Sequence, residues 1–238
     1  IKDQKTEEEK LINAVEKALG RAIIESEDND VSDSSDSNAD VVIPIIEIEE
    51  KIEPSEIADK GYHFDIYERA PLKLIDDFGN QREPHEVILD VVLKEQPIYF
   101  DELCRRVAPL YGRQKATSVV QGEVGYVLRH RLGSRIAEDW YNFVRTKDLV
   151  NIKVRVPNPA DDYLRPITYI CDEELALAMK TIALHSFGIT PDDLFIVTAR
   201  EYGFKRTGEN IIYSLRKVYQ QMLKKGEVAE VDGKVHVN

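Results

Sequence analysis

Residues 190–238, TPDDLFIVTAREYGFKRTGENIIYSLRKVYQQMLKKGEVAEVDGKVHVN, decide how this chain is read. Thr190 can accept a hydrogen bond from an unpaired helix N–H, Pro191 suits the first helical position, and Asp192 and Asp193 meet the positive end of a helix dipole. The spacing predicts a helix running to Tyr202 and stopped by Gly203, the residue type that takes left-handed backbone without strain. After a turn through Lys205 and Arg206, Thr207 is expected to open a further helix. Ile211, Leu215, Val218 and Met222 then share one face, with Arg216, Lys217, Gln220 and Lys224 opposite. From Val228 to Val237 the pattern is that of a β-hairpin around Asp232-Gly233, a pair that supplies the positive φ angles of a tight turn. Upstream, Leu175, Met179 and Ile182 form the stripe of a helix that Asp172 can cap and that ends near Phe187 and Gly188. Three helices followed by a hairpin predict a winged helix.

A second copy of this pattern lies 91 residues earlier. At that offset Ile98 falls on Ile189, Asp101 on Asp192, Leu103 on Leu194, Ala108 on Ala199, Tyr111 on Tyr202 and Gly112 on Gly203. The apolar positions follow, with Val91 on Ile182, Val120 on Ile211 and Val124 on Leu215. Pro84 is expected to open the first helix, Phe100 to Tyr111 to form the second, and Thr117 to Leu132 the third, where Ser118 and Gln121 have capping-box spacing. Gly122 and Gly125 weaken that third helix; they are either tolerated or required by close approach of another backbone. Residues 135–145, with Trp140, Tyr141 and Phe143, are read as its wing. Residues 153–156 and 166–170 are read as short strands joined by a loop.

The expected fold class is therefore α+β, mainly α, with two tandem winged-helix units after an acidic flexible linker. The expected divisions are a helical tail at 1–24, the linker at 25–60, a connector at 61–83, units at 84–150 and 171–238, and a β-rich connector at 151–170. Residues 25–60 hold thirteen acidic side chains against Lys51 and Lys60, and the run 28–38 has almost nothing to bury. Read sharply, this segment mimics nucleic acid; read plainly, it is a solvated linker. Residues 41–48 are apolar and β-branched and suit an edge strand interrupted by Pro44.

The net charge of −12 argues against a nucleic-acid binder only as an average. Residues 104–147 carry nine Lys or Arg against three acids, and residues 200–225 seven against two. Duplex DNA binding through the third helices is the functional expectation, since such helices enter the major groove while cations meet phosphates. Candidate contacts are Arg113, Lys115, Arg129, Arg131, Arg135, Arg145 and Lys147 in the first copy, and Lys205, Arg206, Arg216 and Lys217 in the second. Tyr126 and Trp140 are read as core or as wedges at DNA. The competing expectation is a protein-docking module, because winged helices serve both purposes.

Catalysis has little support in the sequence. His63, His85, His130, His185 and His236 are scattered away from metal-ligand spacing, and Ser118 and Ser214 have no identifiable base. The acidic pairs Glu138-Asp139 and Asp161-Asp162 read as turn residues. No enzyme activity, cofactor or metal is expected of this stretch of chain. Without an apolar run of membrane length or a visible export signal, and with only Cys104 and Cys171, a cytoplasmic, non-membrane setting is expected. The chain starts at isoleucine and reads as a piece of a longer protein.

Pro97-Ile98, the run from Asp101 to Ala108, Tyr111-Gly112-Arg113, and the run from Phe204 to Ile211 together resemble a known pattern. It is that of the C-terminal domain of unknown function of large prokaryotic superfamily 1 helicase proteins that also carry a very-short-patch-repair-like endonuclease domain. The similarity covers residues 84–238, and Lys5 to Ile12 is similar to the helical tail closing the nuclease domain of such proteins. The resemblance implies a parent with helicase and nuclease domains as intramolecular partners, and a role in DNA repair or defence. No phosphate-binding Gly-x-x-x-x-Gly-Lys-Ser/Thr loop occurs here, so their chemistry does not transfer to these residues.

Overall fold

The structure is a computed structural model that describes residues 60–138 and 142–238. The expected helical tail, most of the acidic linker, the apolar run at 41–48, Trp140 and Tyr141 lie outside the described residues. The described chain is a mixture of helices and small sheets.

Helix α1 (Pro84–Glu95) begins with proline at its first turn, and the Glu86 carboxylate reaches back to accept from the Glu83 N–H at 2.9 Å. That pairing supplies a partner to a donor the helix itself leaves unbonded. After the short strand β2 (Ile98–Tyr99), α2 (Phe100–Val107) passes into a 3₁₀ turn (Ala108–Tyr111) that stops at Gly112, whose φ is +64°. α3 (Ser118–His130) and the strands β3 (Ile136–Glu138) and β4 (Phe143–Thr146) complete the set. The sheet order is β2-β4-β3, with Ile98 opposite Val144. Ile88, Val91, Val92, Leu103, Val107, Val120, Val124 and Val144 are fully buried together, the apolar periodicity of three helices closing on the sheet.

The second run repeats this arrangement. α4 (Asp172–His185), α5 (Pro191–Glu201) and α6 (Glu209–Lys224) are followed by β6 (Val228–Val231) and β7 (Lys234–Val237). Phe100 and Pro191, Ser118 and Glu209, and Phe143 and Lys234 each begin corresponding elements 91 residues apart. Even the β2 contact has its counterpart, because the Val235 N–H donates to the Ile189 carbonyl at 2.9 Å just as Val144 pairs with Ile98. The hairpins differ at the turn: Asp232 and Gly233 take φ of +53° and +71°, whereas the first hairpin spends four residues, 139–142, between its strands.

Several local expectations need correction. Asp172 is the first helical residue and not the cap of α4; Cys171 occupies the cap and the Asp172 carboxylate turns to Lys217 and Gln221. Gly208, not Thr207, precedes α6. Thr117 caps α3 by accepting from the Val120 N–H at 3.4 Å, so Ser118 and Gln121 form no capping box, and the Gln121 amide donates to Asp101. Residues 166–170 form a 3₁₀ turn at Ile167–Tyr169, where a strand was expected, and in the run 153–156 only β5 (Arg155–Val156) is extended and paired. The partner of β5 is β1 (Asp65–Ile66), in parallel, so residues 61–83 do more than connect. Tyr62 and Phe64 pack on the second core and Ala70 enters the first.

Thr190 behaves as read, accepting from the Asp193 N–H at 3.2 Å. Gly203 is a tight stop: its φ is +84°, and a Cβ there would sit 2.9 Å from Leu164 Cδ1 and from Pro157 Cγ. We expect Gly203→Ala to destabilise the protein by about 1–3 kcal/mol, from left-handed strain plus overpacking, measured by urea denaturation.

Candidate nucleic-acid interface

In α6 the core claims Leu215, Val218, Tyr219 and Met222, which fixes the rotation of the helix. Asn210, Tyr213, Arg216, Gln220 and Lys224 are consequently exposed, Tyr213 to 71%. Lys205 and Arg206 are exposed in the turn before α6. Neither they nor Arg216 form an ion pair among the described residues. Lys217 stands on the flank, with Nζ 3.2 Å from Asp172 Oδ2. Lys205 and Arg206 thus stand just before α6 and Arg216 at its middle, on the side away from the core. Asn210 and Tyr213, which sequence reading did not single out, accompany them; helical phase alone marks both as lying opposite the apolar stripe.

The first copy arranges its candidates differently. Arg113 and Lys115 are exposed in the turn before α3, and Arg131 and Arg135 are exposed after it. Arg129 folds back so that Nε donates to the Gly125 carbonyl at 3.1 Å. Lys147 donates to the Gly133 carbonyl at 2.6 Å. Arg145 on β4 pairs with Glu173 at 3.1 Å, so this cation reaches from the first hairpin to the start of α4. Tyr126 is 57% exposed and its ring lies 4.5 Å from that of His130, so it is not a core residue.

Gly122 is exposed in mid-helix, and a Cβ at that position meets nothing within 4 Å. No backbone among the described residues requires it. Gly122→Ala should raise stability by about 0.5–1 kcal/mol through helix propensity and a less flexible unfolded chain, and a thermal melt would show it.

Between the two copies lies a buried ionic cluster that no local sequence signal announced. Glu174 accepts from Arg155 Nη2 at 2.7 Å, Arg165 Nη2 at 2.7 Å, Arg165 Nη1 at 3.1 Å and the Arg155 backbone N–H at 2.9 Å. Arg155 continues to the Glu95 carbonyl at 2.6 Å and the Pro97 carbonyl at 3.2 Å, joining the end of α1 to the start of α4. Arg165 lies over the Tyr67 ring, 4.4 Å from its centroid. Fully buried Glu95 accepts from Tyr67 Oη at 2.7 Å, the Ala70 N–H at 2.8 Å and Arg106 Nη2 at 3.2 Å. Burial opposes ionisation of Glu174, but the Arg165 and Arg155 guanidiniums outweigh it and hold the carboxyl below its usual value. Burial, reinforced by Glu174 and Glu173, pushes the Cys171 thiol up to about 12, so it stays protonated at neutral pH and is a poor nucleophile.

Every member of the cluster is matched by an opposite charge or a carbonyl, which is the pattern of a structural junction. Asp161, one of the acidic-pair residues, is likewise engaged, 2.9 Å from Arg69. Among the described residues no group of three or more His, Cys, Asp or Glu is placed to hold a metal, and no helix is long and apolar enough to cross a membrane. Comparison with protein families, with curated proteins and with solved structures finds nothing that matches this chain.

Proposed function

We propose that residues 84–238 are two tandem winged-helix units that act as an accessory duplex-DNA-binding region, without catalysis of their own, in a helicase- or nuclease-like protein. The observation that carries this reading is the exposed face of α6, where Asn210, Tyr213, Arg216 and Gln220 stand clear of the core with Lys205 and Arg206 beside the helix start. Support for the winged-helix assignment is the order of elements, with a short strand between the first two helices that joins the hairpin at its inner strand. The parent's identity rests on the resemblance of residues 97–113 and 204–211, with that of residues 5–12, alone.

The test is fluorescence anisotropy of a random 20-base-pair duplex titrated with the protein from about 50 to 300 mM salt. Binding at micromolar concentration or tighter, with log affinity falling linearly against log salt, is the expected result. No binding at the lowest salt rejects the proposal.

One feature favours protein docking as a second reading. The turn at residues 76–80 is pinned by the Asp76 carboxylate, which accepts from the N–H groups of Phe78 and Asn80 at 2.9 and 2.8 Å, yet it holds Phe78 91% exposed, with Ile75 61% and Leu74 51% exposed beside it. An ordered turn that presents a phenyl ring to water suits a partner surface.

A further inference from the structure

We infer that the two copies are unequal: the second reads base sequence through α6, and the first holds the duplex without reading it. This rests on the DNA-binding proposal above and goes beyond it, because a shared scaffold lets the two helices be compared position by position.

At the shared offset of 91, exposed Asn210, Tyr213, Arg216 and Gln220 of α6 correspond to Val119, Gly122, Gly125 and Arg129 of α3. The correspondence is not a matter of phase, since both helices begin at matching residues and bury matching faces, Val124 with Leu215 and Leu128 with Tyr219. On α6 these positions carry donors and acceptors of the kind that discriminate bases in the major groove: Asn pairs two-pronged with adenine and Arg with guanine. On α3 the same positions carry an isopropyl group, two hydrogens and an arginine whose Nε is engaged by its own helix at Gly125 O. Val119 is 58% exposed, so it lies on the surface but has no group that can hydrogen-bond.

Asn210 and Arg216 are six residues apart, about 9 Å along the helix axis, which spans roughly two to three base pairs. A recognised site should therefore contain an adenine and a guanine at that separation. Among the described residues nothing packs closely on Gly122 or Gly125, since a Cβ at Gly122 meets nothing within 4 Å and one at Gly125 meets only the end of Arg129 at 3.5 Å. Their hydrogens leave those two positions of α3 without a reading side chain, and the exposed Tyr126 ring lies 4.5 Å from that of His130.

The experiment is selection of the full chain against a randomised 20-base-pair library, followed by anisotropy with the enriched duplex and a scrambled one. We expect an enriched motif containing both purines. Arg216→Ala or Asn210→Ala should cut the ratio of enriched to scrambled affinity by about 10- to 100-fold, the worth of one two-pronged base contact. Val119→Ala and Gly122→Ala should leave that ratio within about twofold. Circular dichroism and melting of each variant separate loss of reading from loss of fold. Salt-dependent binding with no enriched motif would overturn the inference and leave the DNA-binding proposal standing. Loss of preference on Gly122→Ala, with Arg216→Ala silent, would reverse the assignment of the copies. Absence of any DNA binding would remove both.

Discussion

Glu174→Ala is expected to lower stability by about 3–5 kcal/mol, because two guanidiniums would remain buried with no carboxylate between them. Arg155 and Arg165 are 8% and 7% exposed, and Glu174 is wholly buried, so water cannot readily compensate. For a folded region of this size, the melting temperature should fall by roughly 10–15 °C. The Coulombic partners also hold the carboxyl below its ordinary value of 4.5. A group depressed in the folded state contributes stability that is fully present above its unfolded value and disappears as pH falls through its folded value. Wild-type stability should therefore decline as pH drops below about 4.5, and Glu174→Gln, already uncharged, should lose that part of the pH dependence. Thermal melts between pH 3 and pH 7 for both proteins measure this; parallel pH profiles would show that the cluster contributes no linkage. Because Arg155 also holds Glu95 and Pro97 carbonyls, the mutant should further loosen the second copy from the first, read as faster amide exchange at both α1 and α4.

The second large effect concerns DNA. Arg206→Glu combined with Arg216→Glu should weaken duplex binding on the order of 100-fold at 0.1 M salt, and reduce the slope of log affinity against log salt by about 1, the share of Arg206 as a phosphate contact. Both side chains are exposed and outside any ion pair among the described residues, so their reversal should leave the melting temperature within about 2 °C. Lys217 is a poorer choice for this purpose because its ammonium holds Asp172. The same double reversal at Arg129 and Arg131 measures the first copy, where the unequal roles inferred for the two helices predict a loss of affinity with the preference for the enriched duplex retained. If neither pair of reversals changes affinity or slope, contacts through these helices are excluded.

How much was legible before the fold was known depends on how local each signal is. The Thr190-Pro191 start, the Gly112 and Gly203 stops and the Asp232-Gly233 turn depend on backbone sterics within a few residues, and each stands where the sequence placed it. The phases of α3 and α6 follow from their apolar stripes, so the outward position of Arg216 and Gln220 was readable, and that of Asn210 and Tyr213 was available on the same ground. Caps were less secure: Cys171, Gly208 and Thr117 took positions that Asp172, Thr207 and Ser118 were expected to fill, because neighbouring residues compete for one turn of backbone and the tertiary partner of each side chain decides.

What the sequence determined by itself was the repeated order of helices and hairpin, through local hydrogen bonding and apolar periodicity. Only the tertiary structure decided that residues 61–83 form part of the folded body, that Asp65–Ile66 pairs with Arg155–Val156, and that Glu174 gathers two arginines while Arg145 and Lys217 reach across to α4. A two-residue strand has too little pattern to be seen alone, and an isolated Glu or Arg reads as a surface charge. Their partners lie up to 90 residues away in sequence, and burial alone turns such charges into a junction.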